Sequence, residues 1–153
     1  MESVIASAVA VLGTLLGSVL TLVFQRHTGD RERHFARRER LRQERLDACS
    51  AYAGALLNYR RCLVHLWFCE HEQPPPEDPG AVRLRSYDLR NQAQEALFRV
   101  QMLTDDELGR KAQEVLSGLT AIPRARSRQE CEAHRVRTRD GIDELIAAVR
   151  QHL

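Results

Sequence analysis

Among the 153 residues, the side chains with the widest chemical repertoire are four cysteines and six histidines. Two pairs share one spacing: Cys62 with His65, and Cys131 with His134. Residues three apart on a helix lie on one face, and thiolate with imidazole is a zinc donor set. Set side by side, the two Cys-x-x-His pairs could close a tetrahedral site, and Cys69 lies four residues past His65 on the same face. The plainer reading makes the cysteines small core residues, with the histidines at the rim. The pairs stand nearly 70 residues apart and match no zinc signature, which favours the plainer reading. We therefore expect no bound metal and no cofactor. A metal- or redox-responsive sensor built on Cys62, His65, Cys131 and His134 stands as the alternative.

Asp105, Asp106 and Glu107 place three carboxylates in a row, raw material for acid–base chemistry. They follow Thr104, and Thr104-x-x-Glu107 has the pattern of a capping box, in which Thr104 caps a helix and Glu107 reaches back. A solvated helix start, helped by the helix dipole, is the expected role. The chain has no Gly-x-Ser-x-Gly. It has no Gly-Lys-Ser/Thr phosphate loop either, and Gly13 and Gly17 fall in an apolar run. Enzyme activity is not expected.

The elements that would position these residues are helices. Ala, Leu, Arg, Glu and Gln dominate after residue 30, and these are good helix formers. Alternating strand-like patterns are missing. Cys49, Tyr52, Leu56, Tyr59, Leu63 and Leu66 step by three and four, giving one apolar face. Gln73-Pro74-Pro75-Pro76-Glu77-Asp78-Pro79-Gly80 is a turn, since its four prolines cannot donate backbone hydrogen bonds. A second helix over about 81–102 presents Leu89, Ala93, Ala96, Val100 and Leu103. A third follows to about Leu119, stopped before Pro123. Ser127 and Glu130 open a last helix whose face is Ile142, Leu145, Ile146 and Val149.

Ser3 to Phe24 is 22 residues without a charge. A helix of that length reaches ~33 Å against a hydrocarbon core of ~30 Å, so residues 1–25 read as a transmembrane anchor. The N-terminus lacks the basic side chains of a signal peptide, and Leu22-Val23-Phe24 is a poor cleavage site. Ala6, Ala10, Gly13, Gly17 and Thr21 share one face, which would let two such helices approach closely in lipid. Residues 26–45 hold eight arginines (Arg26, Arg31, Arg33, Arg37, Arg38, Arg40, Arg42 and Arg45) against four acids, a net +4. Residues 46–153 hold fifteen basic and sixteen acidic side chains. The positive charge therefore sits in one juxtamembrane block, which directs the C-terminus to the cytoplasm and faces anionic headgroups. Interspersed acids and a lone aromatic, Phe35, argue against nucleic acid as its partner. Thr28-Gly29-Asp30 is the one expected break between anchor and stalk; the alternative is a single helix that continues from the anchor without interruption.

Three stretches carry a family likeness. They are Val11-Leu12-Gly13-Thr14-Leu15-Leu16-Gly17-Ser18 with Phe24-Gln25-Arg26; Leu41-Arg42-Gln43-Glu44-Arg45-Leu46 with Ala51-Tyr52-Ala53-Gly54-Ala55; and Phe98-Arg99-Val100-Gln101-Met102-Leu103 with Thr104-Asp105-Asp106. Together they resemble the KilB-like proteins of Streptomyces, small membrane proteins named for a conjugative-plasmid protein involved in plasmid spread. The resemblance implies a role in plasmid transfer; it carries over no catalytic residue. The expected architecture is all-α: an anchor over 1–25, a basic stalk over 26–45, and a cytoplasmic helical domain over 46–153. In that domain a long helix packs with two or three more as an antiparallel hairpin or small bundle. The expected function is that of a non-enzymatic, single-pass membrane scaffold whose partners are the bilayer and further copies of itself.

Overall fold

From residue 48 onward an apolar side chain recurs every third or fourth position, the period of a helix that buries one face. In the computed structural model these residues form the second half of α1 (Glu2–His71). The structure describes the backbone of residues 2–151 and the side chains of residues 35–151. After α1 come α2 (Pro79–Leu103), α3 (Asp106–Leu119), a single 3-10 turn (Ile122–Arg124) and α4 (Arg128–Gln151). No strand occurs among the described residues. The break expected at Thr28-Gly29-Asp30 is not there: α1 runs through it. One glycine costs a helix ~1 kcal/mol relative to alanine, too little to stop a run flanked by good formers.

The chain divides into two units, Met1–Leu41 and Arg42–Leu153. Among the described residues no helix is long and apolar enough to cross a membrane. The anchor expected over residues 3–24, the small-residue face from Ala6 to Thr21, and Arg26, Arg31 and Arg33 lie outside the residues whose side chains are described.

The second unit is built around α1. Tyr52, Leu56, Tyr59, Leu63 and Trp67 form its buried stripe, met by Leu97 and Val100 of α2, Leu108, Ala112 and Leu116 of α3, and Ile142 and Leu145 of α4. A smaller cluster joins Cys62, Leu66 and Cys69 to Val82 at the start of α2. Polar atoms carried into the core find backbone partners, as burial demands. Tyr52 donates its hydroxyl to the Ala112 carbonyl at 2.8 Å, and Trp67 Nε1 donates to the Ala125 carbonyl at 2.8 Å. Burial alone pushes the Tyr52 phenol far above its ordinary range. Arg60 reaches α4, donating to Thr138 Oγ1 at 3.1 Å and to the Arg135 carbonyl at 2.7 Å. α3 comes close to α2 at Gly109, where a Cβ would stand 3.3 Å from Gln101 Cγ.

Capping decides where the elements start. Asp78 accepts from the Ala81 amide at 2.8 Å and Pro79 fills the first turn, so α2 begins two residues before the expected position. The box expected from Thr104 to Glu107 is shifted by one residue. Thr104 closes α2 instead: its amide and its hydroxyl both donate to the Val100 carbonyl, at 2.9 and 2.8 Å. Asp105 is the cap, accepting from the Leu108 amide at 2.8 Å. A threonine hydroxyl can bond the carbonyl four residues back, which leaves the cap to the next side chain. The cap before α4 does form: Ser127 Oγ accepts from the Glu130 amide at 3.1 Å, while Glu130 reaches one residue beyond the cap and accepts from the Arg126 amide at 2.8 Å. Asp105→Ala should lower stability by about 1 kcal/mol, the usual worth of an N-cap, and Glu107→Ala by clearly less. Chemical denaturation followed by circular dichroism measures both, and equal losses would return the cap to the Thr104 register.

Candidate functional site

The two Cys-x-x-His pairs do not meet. Cys62 sits in the small cluster against α2, its thiol directed at the Val82 carbonyl 3.7 Å away. Cys131 is buried in the main core. Among the described residues no group of three or more His, Cys, Asp or Glu side chains is placed to hold a metal ion. Burial pushes the Cys49, Cys62 and Cys131 thiols up from their ordinary value, which keeps them protonated and suppresses their use as nucleophiles or ligands.

The histidines of the two pairs each have a partner close by in the fold. His65 Nε2 lies 3.1 Å from Glu77 and 3.6 Å from Cys69 Sγ. Glu77 also pairs with Arg85 of α2, so His65 and Arg85 together pin the proline turn. The His65 hydrogen bond is the main reason that the Glu77 carboxyl is held below its usual range. His134 stands 3.8 Å from Glu130, one turn back on α4. It lines an open cleft of about 340 Å³ between α3 and α4, with Lys111, Glu114, Arg137, Thr138 and Glu144. Two acids and two bases in that cleft offset one another, so it presents no concentrated charge. Asp105 and Asp106 border a second shallow cleft with Gly109 and Arg110, in which Asp105 is the helix cap.

The most apolar concavity is elsewhere. Leu46, Cys49, Ser50 and Ala53 of α1, Val100 of α2, and Leu145, Ile146 and Val149 of α4 line a groove of about 240 Å³, with Arg150 at its rim. It lies where the sides of α1 and α4 meet near the end of α2. Small-molecule pockets are typically ~300–1,000 Å³ and carry convergent polar groups. This groove is smaller and lacks those groups, and its size suits a few apolar side chains of a partner. Ile146 and Val149 were legible as an apolar face; the groove they share with Leu46 was not, since it depends on how two helices distant in sequence pack.

Of the arginine block, Arg37, Arg38, Arg40, Arg42 and Arg45 are exposed. Arg45 has a structural task as well, donating from Nε to the Leu103 carbonyl at 2.7 Å and so tying α1 to the end of α2.

The unit that carries these features coincides with a family match. The model of the KilB plasmid transfer protein family matches residues 46–153. The chain belongs to that family. The match starts four residues into the second unit and runs to its end, so the KilB family is defined here by the helical unit rather than by the segment before it. No curated protein and no solved structure matches the chain.

Proposed function

We propose that this KilB family protein is a non-enzymatic helical interaction module, held at the cell membrane by residues 3–24, that serves plasmid transfer. The observation that carries the reading is the coincidence of the family match, residues 46–153, with a helical unit closed by its own core. Its concave feature is an apolar groove suited to partner side chains. The anchor rests on sequence: 22 uncharged residues, Ser3 to Phe24, followed by eight arginines between residues 26 and 45. That order places the N-terminus outside and the helical unit in the cytoplasm. Small residues from Ala6 to Thr21 on one face support pairing of anchors.

The test combines location with transfer. The full chain should sediment with membranes, a reporter fused after Leu153 should behave as cytoplasmic, and deleting residues 3–24 should release the protein and reduce plasmid spread. Ala53→Arg, which places a charge in the groove wall, should reduce spread while the protein stays folded and in the membrane. A chain that stays in the soluble fraction overturns the anchor. Plasmid spread unaffected by loss of the whole protein overturns the role.

A further inference from the structure

Along α2 the side turned away from the core carries four large apolar side chains in the open: Leu84 is 68% exposed, Tyr87 57%, Phe98 54% and Met102 76%. Steps of three, eleven and four residues keep all four within one helical stripe. Between them the same stripe carries Asn91 and Glu95, both exposed. The pattern is apolar at each end and polar in the middle, and it reads the same in both directions about position 93. We propose that this face of α2 binds the same face of a second copy of the chain, with the two helices antiparallel across a two-fold axis near residue 93.

The pairing follows from register. In an antiparallel helix pair related by a two-fold axis, residues on the same side of the stripe face each other when their numbers sum to within one of twice the central position, an offset of ~1.5 Å along the helix. Leu84 then meets Met102 of the second copy, Tyr87 meets Phe98, and Asn91 meets Glu95. The charges agree with the same register: Asp88 faces Arg99 along one border of the stripe, twice by symmetry. Within one copy Asp88 and Arg99 stand eleven positions apart, ~16 Å along the helix, so they cannot pair with each other. Neither has an ion-pair partner among the described residues. Exposed apolar residues scattered singly need no explanation; four in one stripe, bordered by charges that complement themselves under the same symmetry, fit a self-complementary interface.

The experiment uses the full chain in detergent. It carries Gly13→Ile and Gly17→Ile, so that any pairing of anchors is removed and cannot stand in for pairing through α2. Two differently tagged copies should co-purify and sediment as a dimer. Asp88→Arg or Arg99→Asp alone should weaken pairing about tenfold or more, because each homodimer then opposes two pairs of like charges. A mixture of the Asp88→Arg and Arg99→Asp chains should pair again, since each mismatch meets its complement. Phe98→Lys with Met102→Glu should abolish pairing, with the helical circular-dichroism signal unchanged. A monomeric starting chain, single reversals that leave the dimer intact, or a mixture that fails to recover would overturn the proposal. Binding of Leu84, Tyr87, Phe98 and Met102 to anionic vesicles with no dimer would assign the stripe to lipid and overturn it as well. None of these outcomes depends on whether residues 3–24 anchor the protein in the cell.

Discussion

Trp67→Ala should cost the helical unit about 3–5 kcal/mol, the range for removing a buried aromatic side chain. Set against a whole-domain stability of ~5–15 kcal/mol, that loss brings the unit close to unfolding at growth temperature. Trp67 concentrates several contacts in one residue. It is 4% exposed, it stacks on the His71 ring at a centroid distance of 4.3 Å, and its indole N–H holds the Ala125 carbonyl between the 3-10 turn and α4. Trp67→Phe separates the two contributions. Most of the ring volume stays, the Ala125 carbonyl loses its donor, and the expected cost falls to about 1–3 kcal/mol. Urea unfolding followed by circular dichroism gives both values. A Trp67→Ala loss below ~1 kcal/mol, the level of an ordinary surface change, would mean that Trp67 does not hold α1 to the turn.

Neutralising the basic block should scramble the proposed membrane orientation. Six arginines, Arg31, Arg33, Arg37, Arg38, Arg40 and Arg42, are changed to glutamine. Arg45 is kept, because its bond to the Leu103 carbonyl belongs to the fold. Each arginine near an anionic surface is worth ~1 kcal/mol of attraction, and the excess of basic residues beside a span sets its direction. Six losses leave Arg26 and Arg45 against Asp30, Glu32, Glu39 and Glu44, so the block turns from net positive to net negative. A reporter after Leu153 should then appear on both sides of the membrane, with total membrane-bound protein unchanged. An orientation unaffected by all six changes would remove the arginines as the topology signal.

The difference between the two capping motifs shows how far local sequence reaches. Ser127 caps α4 as its spacing to Glu130 announces, with its hydroxyl taken by the Glu130 amide. Thr104 sits one residue after a helix that still needs a partner for the Val100 carbonyl, and it went there. The motif was the same; the preceding helix end decided between them. The zinc reading failed for a reason of larger scale. Spacing puts Cys62 with His65 and Cys131 with His134 on two helix faces, but the rotation of each helix about its own axis is set by its whole buried stripe. In α1 the main stripe runs through Tyr59, Leu63 and Trp67, leaving Cys62 to the α2 side, whereas Cys131 points into the main core.

By itself the sequence determined that the chain is helical, where the proline turn and the helix ends fall to within a few residues, and which residues form the apolar faces of α1 and α4. Helical period, proline and short-range capping act over at most one or two turns, so they are written locally. Its uncharged run and the arginines behind it likewise stand in the sequence alone. Only the tertiary structure decided how the faces combine: that Tyr52 reaches α3 and Arg60 reaches α4, that His65 pins the turn through Glu77, and that α1, α2 and α4 line one apolar groove. The same holds for α2, whose apolar residues exceed what one buried stripe can hold. Leu97 went into the core while Leu84, Tyr87, Phe98 and Met102 stayed outside, because three neighbouring helices cover only one side of it.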